Sequence, residues 1–217
     1  RLRSRGLGDV YKRQNPQTVN DEVLKTIGRK HTAQQFFDAF ELARKCGFDN
    51  INTDLIAGLP TDTPESFKNS LDSIVRLNAE CITVHTLCMK RASRLTTEGV
   101  TLDLQQARDA REMLAYTQNI LGQNEYIPYY MYRQSRMVGN LENVGWSKKG
   151  FESLYNVYVM DETHTILACG SGGVTKLKRN NPDYLERIFN FKYPYEYIDR
   201  FDELIQRKSG IMQFYGQ

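Results

Sequence analysis

Asn50-Ile-Asn-Thr-Asp54-Leu-Ile-Ala-Gly58-Leu-Pro60, followed at once by Thr63-Pro-Glu-Ser-Phe67, is the stretch that decides the fold. Its opening predicts a strand over residues 50–57, with Ile51, Thr53 and Leu55 on one face and Asn50, Asn52, Asp54 and Ile56 on the other. Gly58-Leu59-Pro60 breaks that strand. Thr63 then offers a helix cap, Pro64 suits the first helical position and Glu65 complements the helix dipole. Phe67, Leu71, Ile74 and Val75 recur at the spacing of a buried helical stripe. A second strand is expected over residues 81–87, and a long helix from about residue 104 to 121.

Working back from this stretch, Gly47 stops a helix expected over residues 33–46. Thr32 caps that helix, and Phe36, Phe37, Phe40 and Ala43 share one of its faces. A shorter helix opens at Asn20-Asp-Glu and closes at Gly28. Strand, helix, strand, helix with short connections is the pattern of βα units around a parallel sheet. A complete eight-unit barrel takes roughly 250 residues, and only two clear repeats are present. The expected fold is therefore α/β, a partial barrel.

Past residue 121 the texture changes. Short β-rich stretches are expected at 129–133, 154–160 and 163–168, and two helices at 182–190 and 195–208. This places a small α+β subdomain at residues 123–217, after a barrel portion at 15–122. Residues 1–14 are set aside as a non-native leader, because Asp9-Val-Tyr-Lys-Arg-Gln14 looks like a translated transposase end sequence. Without them the balance of basic to acidic residues falls from 29 against 26 to 24 against 25, so the basic character belongs to the leader.

Composition narrows the remaining classes. A 217-residue chain with 40% hydrophobic and 25% charged residues has enough material for a folded core. Its apolar runs are far shorter than the ~20 residues needed to cross a bilayer, and no signal peptide is expected. Four cysteines without close pairing predict free thiols in a reducing cytoplasm. Neither nucleic acid nor membrane is an expected partner.

Ligands of parallel βα proteins sit at the carboxyl ends of the strands. Asp54, a carboxylate inside a strand, is either a functional group or a buried acid satisfied by its neighbours. Arg29 is accounted for by a helix carboxyl terminus, and Gln17 by a turn. His85 reads as a hydrogen-bonded core histidine or a pocket wall; His31 and His164 have no ligand spacing. Cys46, Cys81, Cys88 and Cys169 form no metal motif. Gly170-Ser-Gly-Gly173 lacks the lysine and helix start of a phosphate loop, so it marks only a place where backbone can approach a ligand. Tyr126, Tyr129, Tyr130 and Tyr132, with Arg133 and Arg136, read either as a wall for a large planar polyanion or as an aromatic strand packing two subdomains.

In order along the chain, Asn15-Pro-Gln-Thr-Val, Ile27-Gly-Arg29 and the Asp54-Leu-Ile-Ala-Gly-Leu-Pro60 stretch resemble the later half of a radical S-adenosylmethionine barrel. Tyr129-Tyr-Met-Tyr-Arg-Gln134, Gly139-Asn-Leu-Glu-Asn-Val-Gly-Trp146 and Ala168-Cys-Gly-Ser-Gly-Gly173 narrow the resemblance. They point to the oxygen-independent coproporphyrinogen III oxidases, in the coproporphyrinogen dehydrogenase (HemZ-type) branch. The resemblance implies the carboxy-terminal part of a partial (β/α)6 barrel followed by the small subdomain. It implies contacts to S-adenosylmethionine from Gln17, Arg29, Asp54 and Cys88, the last through backbone or packing, and sets the Gly170–Gly173 turn beside the cofactor. It also implies a 4Fe-4S cluster on a Cys-x-x-x-Cys-x-x-Cys loop that this chain lacks, so the chain is expected to be a fragment, inactive alone.

The implied activity of the intact protein is removal of hydrogen from propionate side chains of coproporphyrinogen III. Loss of carbon dioxide and an electron then leaves vinyl groups and protoporphyrinogen IX. The partners implied are the tetrapyrrole substrate and an electron donor. Relatives with a similar barrel bind haem as chaperones, which is the alternative reading.

Overall fold

Capping residues set the starts of the first three helices as the sequence predicts. The computed structural model describes residues 11–88, 104–133, 137–180 and 183–216. Asn20 accepts hydrogen bonds from the amides of Glu22 and Val23 at 3.0 and 3.3 Å and begins α1 (Asp21–Thr26). Thr32 and Gln35 form a reciprocal capping box at the start of α2 (Ala33–Lys45), satisfying two amides that the helix itself leaves unbonded. Gly47, at φ +81°, reverses the chain into β2 (Asn50–Ala57). Thr63 caps α3 (Pro64–Arg76), and β3 (Cys81–Thr86) and α4 (Leu104–Gln123) follow.

These elements build one five-stranded sheet in the order β1-β2-β3-β5-β4, with β1 (Tyr11–Gln17), β4 (Tyr126–Tyr132) and β5 (Asn143–Lys148) completing it. The first three strands are parallel; β5 runs antiparallel to β3, and β4 antiparallel to β5. β4 carries Pro128 opposite Trp146, with the register slipping between Pro128 and Tyr130.

Two expectations about boundaries change here. Residues 11–14, set aside as leader, are strand: Tyr11 to Gln14 pair with Asn50 to Thr53. Strand pairing is made by backbone groups, so unusual side-chain composition does not prevent it. The expected subdomain boundary at residue 123 also moves, because β4 and β5 extend the first sheet. The chain divides into two compact units between Ser153 and Leu154.

The helices cover one face of the sheet. Ile51, Leu55, Ile82 and Val84 pack there against Phe36 and Phe40 of α2, Phe67, Leu71 and Ile74 of α3, and Met113 and Leu121 of α4. Burial of this apolar surface is the main driving force for the unit. One carboxylate ties the layers together. Buried Glu80 accepts from the Ile51 amide at 2.9 Å and from the Arg44 guanidinium at 2.8 Å, joining β2 to α2. Glu80→Gln keeps an acceptor for Ile51 but gives up the charge that Arg44 faces. Urea unfolding is expected to show a loss of about 1 kcal/mol, since Arg44 keeps partial access to water.

In the second unit the local signals misled. Residues 154–160, rich in Val and Tyr and expected as a strand, are helical in α5 (Leu154–Asp161). The expected helix over 182–190 is a strand, β7 (Asp183–Phe189), in a hairpin with β6 (Val174–Asn180). Of the strand expected at 163–168, a single bridge forms, Ile166 to Lys176. The expected helix over 195–208 is broken at Arg200 into α6 (Pro194–Asp199) and α7 (Phe201–Lys208); α8 (Gly210–Phe214) follows. The hairpin sets Lys176 directly opposite Arg187. Glu162 reconciles the two cations, at 2.6 and 2.9 Å. Lys176 and then Arg187 hold its carboxyl below the usual range despite some desolvation.

No helix among the described residues is long and apolar enough to cross a membrane.

Candidate functional site

Register decides which side chains share the uncovered face of the first sheet. Residues paired across a ladder project to the same side. Asn52 pairs with Cys81, Asp54 with Thr83 and Ile56 with His85. Thr83 in turn pairs with Gly145, which faces Tyr130, and Tyr132 faces Asn143. The result is a polar strip across four strands, on the side opposite the helix-packed core.

Its groups are joined in sequence. Asn52 donates from Nδ2 to Asp54 Oδ1 at 2.7 Å and accepts at Oδ1 from the Thr83 hydroxyl at 3.0 Å. Thr83 also lies 3.2 Å from the Tyr130 hydroxyl. Asn15, with its amide nitrogen turned toward β2, donates to Asp54 Oδ2 at 2.7 Å. His85 has Nδ1 3.3 Å from the Tyr132 hydroxyl and Nε2 3.8 Å from Asp54 Oδ1. The Tyr130 and Tyr132 rings lie parallel, centroids 6.3 Å apart. A glycine makes this stacking possible: a Cβ at Gly145 would stand 1.8 Å from Tyr130 Cε1.

Asp54 is 2% exposed at the centre of this strip. Gln17 ends β1 on the neighbouring strand and is also buried; past an irregularity in β1 it pairs with Leu55, a residue of the helix-packed core, and so is out of register with the strip itself. Its φ of +70° is the left-handed region, unusual for a residue with a side chain and the kind of backbone strain that collects at ligand sites. Cys88 lies two residues past β3, half-buried and bridged to Met137. Arg29 is placed differently. It is exposed just after α1, its amide donates to Leu24 O at 2.9 Å, and among the described residues its guanidinium has no ion-pair partner. The structure thus sets Gln17 and Asp54 on adjacent strands and Cys88 past the end of the next, with Arg29 on the surface.

The tyrosine and arginine stretch is split by the sheet. Tyr130 and Tyr132 face the polar strip, whereas Arg133 follows the alternation to the other side and pairs with Glu142 at 2.7 Å. Tyr126 is buried in the helix-packed core, where desolvation and the nearby Glu80 push its phenol up. Arg136 lies outside the described residues. The Gly170–Gly173 turn belongs to the second unit, and three of its amides are already used: Gly170 by the Tyr197 hydroxyl, Gly172 by Phe191 O and Gly173 by Gly170 O. On the loop after β2, burial pushes the Asp62 carboxyl up, opposed by hydrogen bonds from Ser66 and Thr63.

The donor set decides what the strip can hold. A buried carboxylate braced by two amides, with a hydroxyl, an imidazole and two stacked phenols beside it, suits a ligand carrying hydroxyl and amino groups and a flat ring. These residues fit S-adenosylmethionine. They do not fit an iron-sulfur cluster: no group of three metal-ligating side chains occurs among the described residues. Asn15, Thr83 and Gly145 escaped the sequence reading, which singled out Tyr130 and Tyr132 but not their stacking. Asn52 and Asp54 showed their shared parity, but the partner strands could be added only once register was known.

A model of the radical SAM superfamily matches residues 12–74. The oxygen-independent coproporphyrinogen-III oxidase-like protein HemZ of Bacillus subtilis is 38% identical over 199 residues, 92% of this chain and 40% of that protein. The heme chaperone HemW of Lactococcus lactis is 32% identical over 174 residues, 76% of this chain and 41% of that protein. Among solved structures, coproporphyrinogen III oxidase (HemN) from Escherichia coli matches with a TM-score of 0.63, covering 89% of this chain and 43% of that one at 19% identity, a likeness of fold. The chain spans about two-fifths of the length of the curated relatives it matches.

Proposed function

We infer that this chain, which belongs to the radical SAM superfamily in its HemN/HemZ-type branch, forms the S-adenosylmethionine-facing wall of an oxygen-independent coproporphyrinogen III oxidase. The family's cofactors are S-adenosylmethionine and a 4Fe-4S cluster, and no group of side chains able to hold the cluster occurs among the described residues. When bound, S-adenosylmethionine supplies the radical chemistry by which hydrogen is taken from an unactivated carbon. The reading is carried by the braced carboxylate of Asp54 within the polar strip.

Asp54 accepts hydrogen bonds from the cofactor's hydroxyl groups, and Asn52 and Asn15 keep its oxygens aimed. Gln17 offers an amide from the neighbouring strand, and Cys88 closes the edge by packing. Arg29 reaches in from the surface toward the cofactor's carboxylate. Tyr130 and Tyr132 exclude water and present flat surface to a ring. In the intact protein the substrate is the propionate-bearing tetrapyrrole, and each of two propionates would give up a hydrogen atom to the radical chemistry, carbon dioxide, and one electron to an acceptor, leaving a vinyl group.

The test is an anaerobic incubation of the intact protein with coproporphyrinogen III, S-adenosylmethionine and a reductant, followed by chromatography. A product that has lost two carboxyl groups supports the reading. The similarity to relatives named heme chaperones favours a second one, haem binding without oxidation. Haem retained through gel filtration with no vinyl product would establish that second reading and remove the first.

A further inference from the structure

The helix-covered side of the first sheet, away from Asp54, holds another hollow. A cavity of about 310 Å³ opens between α4 and the antiparallel strands, walled by Arg111 and Gln118 of α4, Val144 and Trp146 of β5, and by Arg133 and Glu142. Trp146 pairs with Ile82 and Val144 with Val84, both of which face the helix-packed core, so this cavity and the polar strip lie on opposite sides of the sheet. Arg111 and Gln118 are seven residues apart, two helical turns, and so stand on one side of α4.

The lining is apolar at its base and cationic at its rim. Glu142 occupies the Arg133 guanidinium at 2.7 Å, so these two charges cancel. Arg111 has no ion-pair partner among the described residues, which leaves the lining with one uncompensated positive charge. Trp146 adds a second unmet group. Its Nε1–H is buried and has no hydrogen-bond acceptor, an arrangement that costs folding free energy and that native interiors mostly avoid. The volume is at the lower end of the range for small-molecule pockets.

We propose that this cavity is a binding site for a small monocarboxylate with an aromatic or other apolar body. The carboxylate pairs with Arg111, and the apolar body lies against Val144 and the Trp146 indole. The proposal does not rest on the reading of the polar strip, which lies across the sheet.

Trp146 is the only tryptophan in the chain and provides a built-in reporter. The experiment titrates phenylacetate into the 217-residue protein while following tryptophan fluorescence, with saturation-transfer NMR of phenylacetate as an independent measure of binding. Phenylacetamide, matched in shape but uncharged, and the variant Arg111→Gln are run in parallel. Phenylacetate is expected to bind saturably, with affinity reduced at least tenfold by loss of charge on either side. Arg111 is exposed, so its replacement leaves the melting curve in place. Absence of saturable binding by both measurements, equal binding of phenylacetamide, or unchanged affinity in Arg111→Gln would each overturn the proposal.

Discussion

Asp54→Asn is expected to weaken S-adenosylmethionine binding roughly 10- to 100-fold, the cost of about 1.5 to 3 kcal/mol for a hydrogen bond that loses its charged partner. The variant should still fold. Asn keeps an oxygen to accept from Asn52, which donates to Asp54 Oδ1 at 2.7 Å. Asn15, now facing Asp54 Oδ2 through its nitrogen, can turn its amide round and accept instead. Binding and folding are thereby separated, and the effect belongs in the ligand titration with little change in melting temperature. Equilibrium dialysis of labelled S-adenosylmethionine against the parent and variant chains makes the measurement. A parent that takes up none, or a variant that binds as well as the parent, removes Asp54 from the proposed role.

Gly145→Ala is expected to destabilise the first unit by about 1 to 3 kcal/mol, the range for an extra carbon forced into a filled site. The new carbon would fall 1.8 Å from Tyr130 Cε1 and 2.6 Å from its Cζ, inside the ring rather than beside it. Relief requires the ring to leave the sheet, which breaks its contact with Thr83 and its stacking on Tyr132. The cause is checkable with a second change. In a Tyr130→Ala background the alanine at 145 has nothing to strike, so urea unfolding of the four proteins should give a coupling energy that recovers most of the single-variant loss. Additive losses would mean that the glycine is needed for its backbone instead.

Where the sequence carried its own local chemistry, the fold was readable. Thr32 with Gln35, Thr63 with Pro64, and Gly28 and Gly47 at positive φ each declare a helix end without help from the rest of the chain. β2 was equally plain. The second unit was not, because its β7 sequence fits two periods: Leu185, Ile188 and Phe189 make a helical stripe, and only pairing with β6 selects the strand. In α5, Val157, Tyr158 and Val159 favour a strand by propensity, and no residue of that helix is fully buried, so no buried stripe marked it as helical. The polar strip was half-legible for a related reason. Parity within β2 is a property of one strand, whereas the alignment of Asp54 with Thr83, and of Thr83 with Gly145, is a property of three.

The proline and slipped register of β4 bear on how the protein behaves in concentrated solution. β4 is an outermost strand of the sheet as described, and such a strand offers unpaired backbone groups to any passing chain. Pro128 has no amide hydrogen to give, and the irregularity beside it spoils the straight repeat that an added strand would have to follow. Ile127 and Met131, both exposed on this strand, would otherwise make it adhesive. Pro128 and the irregularity beside it thus guard this edge of the sheet against intermolecular strand addition by its own covalent structure.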